Sequence, residues 1–537
     1  ASGLAVGGTA GVGVAAAINT IENVTRAAIG DDVRTQARGA TILTAAASED
    51  LANFAVGAAG AGSAAVGGAA LVNVMNNQTT ARIGERARVN HGDLLGNQSV
   101  SLSASDSTTL FDVVGGGGGG GSVGVGASSD VGVLSKQTQA SIGAAAQVDA
   151  ARNVSLQASS HEDLRVTSIG LGVGGSAGLA GSAAAMSLTT DTRARVDDDA
   201  EVRAKGNVLV AATGDSSLDL ITGSAAGSGS AAVGAAAGVV VFDKTTQAAI
   251  GSHAAVTALG QGAGLNAATG AFHVAYGNAI SGDGRVADAQ FVATDANGAA
   301  VTDRSVFAAL TKERAADALQ SQVNGLAVTA TNQDSIKSTT VSGAGSGAAA
   351  ITLGANVATV STDTQATIGN DTQINQDTGF AAGNGAAAAA QSVRVAAGNE
   401  QFHVGIAGAA SVAGAAAVGA GTDVFVGHNA VLAQVGGNAQ LQAARNVDVL
   451  ARGHEELLGI GAGLAASGSV GVAGSVAVVS LNNSTQARIA GGTTAVNAGG
   501  NVQVHASDDT SRDMVTGAAG IGLGVAGVGA SVGVTSI

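Results

Sequence analysis

The stretch FDVVGGGGGGGSVGVGASSD at residues 111–130 contains seven consecutive glycines. Such a run usually marks a flexible linker, because glycine loses the most backbone entropy on ordering and brings no side chain to bury. Inside a packed wall, the same run would let two backbones approach closely. Whether the length of the segment is fixed decides between a linker and a wall.

Two short phrases recur along the chain and define its spacing. The first, Thr-x-Ala-x-Ile-Gly, starts at residues 25, 79, 138, 192, 246, 364 and 485, with a degenerate copy at 431. The second, apolar-x-apolar-x-Ala, starts at 41, 100, 154, 208, 326, 393, 447 and 502. Each second phrase precedes the next first phrase by 38 residues in all seven cases, whereas the other interval varies from 16 to 80. The shortest spacing gives a basic repeat of 54 residues.

The glycine run lies inside the arm whose length never changes. A linker would tolerate insertions there, because lengthening a flexible loop costs only a fraction of a kcal/mol. The fixed length predicts that the Gly-rich segments are ordered and packed backbone against backbone. It also predicts that the variable arm is a surface loop.

Side chains within the unit alternate with a period of two, as in Val154, Leu156 and Ala158. This period is typical of strands, so we expect an all-β, elongated repeat array of about 54 residues per repeat. We favour a β-solenoid with about three rungs of roughly 18 residues per unit, which would rise about 115 Å over eight units. The alternative is a stack of long antiparallel β-hairpins, for example 154–173 against 177–196.

The array divides into residues 1–256 and 326–537, separated by an insertion at 257–325. Within the insertion, Phe307, Leu310 and Leu319 with intervening alanines predict a short helix at 303–323, capped by Asp303. Both ends of the chain lie in the same Gly-rich phase and carry no polar cap. We therefore expect a fragment of a longer protein.

Composition excludes several classes of protein. There is no Cys, which excludes disulfides and thiolate metal sites and suits an oxidising compartment. The net charge of −15 argues against nucleic acid as a partner. The apolar stretches at 225–242 and 516–537 are too rich in Gly, Ala and Ser for membrane-spanning helices, so the chain is not expected to span a membrane.

Acidic triplets recur in phase, and we interpret them as solvated turns. With three rungs per unit, equivalent carboxylates would lie about 14 Å apart, too far to share a calcium ion. His161, Glu162 and Asp163 are consecutive, and neighbours on a strand point to opposite faces, which argues against acid–base catalysis. We expect no metal, no cofactor and no enzymatic activity. The triplets are HED at 161–163, GDS at 214–216, HEE at 454–456 and DDT at 508–510.

The insertion holds the candidate ligand-contact residues Phe272, His273, Tyr276 and Phe291. Aromatic side chains on a loop that projects from a rigid scaffold form a reasonable contact surface. The alternative is a self-packed decoration that covers a sheet edge.

The phrases T-x-A-x-I-G and N-V-x-V-x-A alternate with Gly/Ala-rich arms such as SIGLGVGGSAGLAGSAAAMSL. In this the chain resembles the repeat arrays of large bacterial exported adhesins, the filamentous-haemagglutinin-like and leukotoxin-repeat exoproteins. The resemblance covers nearly the whole chain outside 257–325. It implies a secreted or surface-attached fibrous protein of a Gram-negative bacterium that acts in cell adhesion or biofilm matrix.

These observations predict an extracellular or cell-surface structural rod that acts as a stiff spacer and can associate laterally with itself. The alternative is a module that binds host, bacterial or matrix polysaccharide through the insertion or a solenoid face. A polysaccharide lyase or hydrolase would need sugar-stacking aromatic residues, and an aromatic content of 2% argues against one.

Overall fold

A computed structural model describes residues 1–92, 94, 96–277 and 313–536. These residues form three parallel sheets, which confirms the all-β repeat array. Two sheets of long strands face each other, and a third sheet of short strands closes one side.

The bounds of the described elements are as follows. Sheet 1 contains β1 (Ser2–Gly7), β4 (Thr41–Ala61), β7 (Val100–Gly120), β10 (Val154–Gly174), β13 (Val208–Ser228), β17 (Glu313–Ser346), β20 (Gln391–Ala413), β23 (Val447–Ser467) and β26 (Val502–Gly522). Sheet 2 contains β2 (Ala10–Ile29), β5 (Ala64–Ile83), β8 (Val123–Ile142), β11 (Ala177–Val196), β14 (Ala231–Ile250), β18 (Ala349–Ile368), β21 (Ala416–Val435), β24 (Val470–Ile489) and β27 (Ala526–Ser536). Sheet 3 contains β3 (Arg34–Thr35), β6 (Arg88–Val89), β9 (Gln147–Ala150), β12 (Glu201–Ala204), β15 (Ala255–Ala258), β19 (Gln373–Ile374), β22 (Gln440–Ala443) and β25 (Ala495–Ala498). Strand β16 (Leu265–Gly277) and helix α1 (Thr378–Asn384) lie in insertions.

Each 54-residue unit makes one rung of a parallel β-solenoid. In one unit the chain runs along β10, turns, returns along β11 and crosses β12. Val154 pairs with Val208 and Ala177 with Ala231, so each strand is hydrogen-bonded to the strand 54 residues later. Residues at one register position therefore stack along the solenoid axis, and we call such a stack a column.

The expected three rungs per unit, and the rise of about 115 Å, are wrong. Nine rungs spaced about 4.8 Å apart rise only about 40 Å. The stacked-hairpin alternative gives nearly the right strand bounds for β10 and β11 but the wrong pairing. Those two strands face each other across the interior, and their hydrogen bonds run to parallel neighbours in separate sheets.

Both recurring phrases line the corner where the three sheets meet. Ala140 and Ile142 come from the first phrase, and Val154, Leu156 and Ala158 from the second; each is at most 1% exposed. Small and branched side chains repeat here in every rung, so the columns form a continuous apolar prism.

The Gly-rich segments form the opposite edge, which we call the glycine blade, where sheets 1 and 2 touch backbone to backbone. A Cβ atom on Gly116, Gly118 or Gly120 would lie 1.7–2.0 Å from a carbonyl oxygen of β8. The residues between them, Gly117 and Gly119, face outward and would meet nothing within 4 Å. The ordered, backbone-to-backbone packing predicted from the fixed arm length is confirmed.

The insertion folds into a hairpin, and the helix predicted at 303–323 is wrong for residues 313–323. Those residues form the first part of β17 and pair antiparallel with β16, for example Val323 with Leu265. Residues 303–312, including Asp303, lie outside the described residues. Ala-rich sequence is compatible with both structures, and pairing with β16 selects the strand.

A second insertion carries α1, whose N-terminus is capped by Asp377. The Asp377 carboxylate accepts a hydrogen bond of 2.8 Å from the amide of Phe380. Over the described ranges, no helix has the length and apolar character needed to cross a membrane.

The effect of Gly→Ala substitutions on stability should alternate from one residue to the next along the glycine blade. Gly118→Ala is expected to lower the free energy of unfolding by about 1–3 kcal/mol, because the new methyl group overlaps a backbone oxygen. Gly117→Ala and Gly119→Ala should be neutral or stabilising by up to about 1 kcal/mol, because their methyl groups enter open space. Urea unfolding followed by circular dichroism measures the difference, and equal costs at the three positions would contradict the packing.

Candidate functional site: a polar belt between the long sheets

A belt of buried polar side chains runs along the axis between the apolar corner and the glycine blade. Most of its side chains are nearly or completely inaccessible to solvent. From sheet 1 it contains Glu49, Asp106, Thr108, Ser160, Glu162, Ser216, Asp334, Gln401 and Glu455; from sheet 2 it contains Asn77, Thr79, Lys136, Thr190, Thr192, Lys244, Thr362 and Asn429.

The belt overturns the interpretation of the acidic triplets as solvated turns. Residues 161–163 and 454–456 lie in the middle of β10 and β23, where side chains alternate between the interior and the outer face. Glu162 and Glu455 point inward and are buried, whereas His161 points outward, with its Nδ1 2.9 Å from Asp215 Oδ2. The separation of His161 and Glu162 onto opposite faces was predicted correctly.

The expected spacing of 14 Å between equivalent carboxylates is also wrong, because equivalent positions are one rung apart, about 4.8 Å. Carboxylates in one column are therefore near enough to repel each other. The column of Glu162 avoids this by alternation, since acidic residues occupy every second rung and neutral residues lie between them. In order along the axis it reads Glu49, Thr108, Glu162, Ser216, Asp334, Gln401, Glu455 and Thr510.

Lys136 is the first of two buried cations facing this column. Its Nζ lies 2.5 Å from Asp106 Oδ1 and 3.0 Å from Glu162 Oε1, and it donates a 2.8 Å hydrogen bond to Thr108. Burial opposes its charge, but Glu162 and Asp106 outweigh burial and raise the pKa of Lys136 above its usual value. The ammonium group therefore remains charged inside the sandwich.

Lys244 repeats the arrangement two rungs later. Its Nζ donates to Ser216 Oγ at 2.7 Å and to Asp334 Oδ1 at 2.6 Å. The other Asp334 oxygen accepts from Asn332 at 2.6 Å. Ser216 also donates to Glu162 at 2.6 Å, which links the two lysine centres into one network.

Glu455 has neutral donors instead of a lysine. Asn483 and Thr510 donate to its Oε2 at 2.8 and 2.9 Å, and Asn429 donates to its Oε1 at 3.3 Å. Burial, with a smaller contribution from Asp508, raises the pKa of Glu455 to about 8. This carboxyl group is therefore largely protonated at pH 7.

A second group of buried acids lies nearer the blade. Asn53 and Asn73 donate to the two oxygens of Asp112 at 2.8 and 2.6 Å, and burial raises the pKa of Asp112 to about 6. Burial raises the pKa of Asp130 to about 8 and that of Asp423 to about 7. A cavity of about 10 Å³ beside Asn73, lined also by Met75 and Leu110, has room for one water molecule at most.

The inserted hairpin is fastened to the outer face of sheet 1 through Arg314. Its side chain is 3% exposed; its Nε donates to Glu456 at 2.8 Å, and a terminal nitrogen donates to Glu400. The guanidinium carbon also lies 4.6 Å from the centre of the Phe402 ring. The hairpin therefore covers a sheet face rather than the sheet edge considered above.

Of the four candidate ligand-contact residues, the structure describes the side chains of Phe272 and His273, and it places these two on opposite faces of a strand. Phe272 is half-buried and His273 exposed on β16, and as consecutive strand residues they leave opposite faces. The backbone of Tyr276 continues β16, but its side chain and the whole of Phe291 lie outside the described residues.

Chemically, the belt is built to hold charge inside a wall, because its polar atoms bond mainly to one another. Over the described ranges, no cluster of three or more His, Cys, Asp and Glu side chains could hold a metal ion. Comparison with protein-family models, curated proteins and solved structures gives no match to this chain.

Removing the Lys136 charge should destabilise the fold strongly. Lys136→Met leaves Asp106 and Glu162 buried without their cation, and we expect a loss of about 3–5 kcal/mol in the free energy of unfolding at pH 7. Gln137→Met, at the outward-facing neighbour, is the matched control for urea unfolding; equal losses would contradict the role of the lysine.

Because several buried acids have raised pKa values, we expect the free energy of unfolding to fall as the pH rises. The folded-state pKa values of Asp130, Asp423 and Glu455 are about 8, 7 and 8, above the unfolded values near 4. Each group's contribution is complete below about pH 4 and is lost as the pH rises through 7 to 8, with a slope of up to about 1.4 kcal/mol per pH unit.

Unfolding at pH 5 and pH 8.5 measures this dependence. Asp423→Asn and Glu455→Gln should each flatten it, whereas Gln137→Met on the outer face, which changes no ionisable group, should leave it unchanged. Wild-type stability that rises between pH 5 and pH 8.5 would contradict neutral buried acids.

Proposed function

We propose that this chain is a structural segment of a giant secreted or surface-attached bacterial adhesin, acting in adhesion or biofilm matrix as a stiff spacer without catalytic activity. The observation that carries the proposal is the unbroken register of nine parallel rungs. The hydrogen bonds between rungs point along the axis, so tension along the axis loads roughly forty of them at once.

Several features support an extracellular location and a mechanical role. The chain has no Cys to mispair in an oxidising compartment, and its resemblance to exported adhesin repeats points the same way. The rung is broad, with long strands of 20 or 21 residues spanning about 70 Å, while each unit adds only about 4.8 Å of height. A solenoid with such a wide cross-section is stiff and has a large lateral surface, but it gains little length per residue.

A pulling experiment tests the mechanical role. The two ends of the described array lie at opposite ends of the solenoid axis, so force applied between residues 2 and 536 pulls along that axis. We expect unravelling in steps of about 190 Å, one 54-residue rung at a time. Smooth extension without force peaks would contradict the proposal.

The runner-up function is recognition of a polysaccharide through the inserted hairpin or a solenoid face. It is supported by the placement of Phe272 and His273 on an arm outside the repeated wall. Glycan pull-downs should compare the wild type with Phe272→Ala and His273→Ala, which leave the Arg314 anchor intact. Loss of binding in these variants would favour recognition over a pure spacer, and Asp163→Asn serves as an outer-face control.

A further inference from the structure

The outer face of sheet 2 is apolar over the part of the wall nearest the blade. From the level of Ala177 to that of Ser187, the outward positions of the described rungs carry no charged residue, although the chain has a net charge of −15. Exposed aliphatic side chains include Leu179 at 40%, Ile351 at 42% and Leu353 at 51%.

This face is too large for an ordinary monomer surface. Six outward positions on nine strands cover on the order of 1,500 Å², from about 3.3 Å per residue and 4.8 Å per strand. The largest apolar patch of a soluble monomer is usually about 300–600 Å². A stable protein interface needs about 800 Å² on each partner, so one face is sufficient.

The relief of the face is regular. The column of Leu179 holds a branched aliphatic residue in every described rung, among them Val66, Val125, Val233 and Ile351, and forms a ridge. Two and four residues further along the strands, the columns of Gly181 and Ala183 are mainly Gly and Ala and form a valley. The exceptions are Val14 and Leu353 in the Gly181 column, and Ser129, Thr422, Val476 and Val532 in the Ala183 column.

The ridge of one copy can pack into the valley of a second copy, and the ridge of the second copy into the valley of the first. A two-fold axis along the stack, passing between two copies at the Gly181 column, sets the Leu179 ridge of one copy against the Ala183 column of the other. It likewise sets the column of Ala185, which holds Val72, Val131 and Val239 in other rungs, against that of Ala177. Because both copies have the same rung spacing, equivalent rungs lie opposite each other, and a ridge residue meets Ala or Ser in the six rungs from Val12 to Ile351.

The outer face of sheet 1 is less regular. Its Thr167 column holds a branched or aromatic side chain in every strand from β4 to β26, but two of these are threonines. In the next outward column Ile169 stacks between Gly115 and Gly223, so residue size changes from rung to rung there. Two copies that each carry −15 repel each other, so an uncharged face is the surface through which they approach most readily.

We propose that the apolar face of sheet 2 binds the same face of a second copy of this chain, giving a two-fold dimer with parallel solenoid axes. The inference rests on the proposed rod and names its lateral partner. Each rung of one copy contacts one rung of the other, so the interface grows with the number of rungs.

Sedimentation of the full chain tests the dimer. We expect twice the chain mass of 50.6 kDa for the wild type. The double substitution Leu179→Asp and Ile351→Asp should weaken association at least tenfold. The matched pair Leu171→Asp and Val341→Asp, at residues 49% exposed on sheet 1, should leave it unchanged.

Filling the valley separates a specific dimer from general stickiness. A Cβ on Gly181 meets nothing within 4 Å, and one on Gly474 is only in ordinary contact, so Gly181→Val and Gly474→Val fit the monomer. Both add apolar area, yet they should weaken the dimer by blocking the partner's approach.

Three outcomes would overturn the proposal: a monomeric wild type at high concentration, equal dissociation by the sheet 1 pair, or tighter association after filling the valley. Circular dichroism and electron microscopy of the same samples show whether the solenoid is intact. A folded monomer would rule out the dimer but not the proposed rod, whereas an unfolded chain would rule out both proposals.

Discussion

The parallel hydrogen-bond register between one rung and the next is the constraint on which the rest of the structure depends. It places every residue beside its counterpart in the neighbouring unit, about 4.8 Å away. Apolar columns are favoured by this arrangement, because like side chains pack well on each other. Ionised columns are not, because a row of carboxylates at that distance in a buried space would repel strongly.

The polar belt shows how the chain accommodates buried acids under this constraint. Acidic residues occupy alternate rungs of the Glu162 column, and Ser, Thr or Gln fills the rungs between. Lysines neutralise some of these acids: Lys136 lies between Asp106 and Glu162, and Lys244 contacts Asp334. Where no lysine faces the acid, as at Glu455 and Asp423, burial raises the carboxyl pKa and the group can remain neutral.

Much of the fold could be predicted from the sequence, because the constant arm of 38 residues required a register. The same reasoning correctly predicted that the glycine run is ordered. The number of rungs per unit could not be predicted in this way, because alternation looks the same in a strand of five residues and in one of twenty. The turn at the blade edge is also hidden among glycines, as at residues 121 and 122.

The site was missed for a related reason. Residues 161–163 were interpreted from their polarity, although alternation extended through them and placed Glu162 inside. A signal was available: aligning the chain at the 54-residue spacing shows acidic and neutral residues alternating at one position. The position of Arg314 had no such signal, because its partners Glu400 and Glu456 belong to later units and contact it only through the folded hairpin.

The one-rung repeat also changes what kind of spacer this is. A coil of 18 residues would triple the height gained per residue, whereas this chain commits 54 residues to each step of about 4.8 Å. The added residues widen the wall, and the bending stiffness of a beam rises steeply with its width. They also create the outer face of sheet 2, whose area increases with every rung. The width of the wall therefore contributes both to rigidity and to lateral contact. Neither property would benefit a chain selected only for the length it spans.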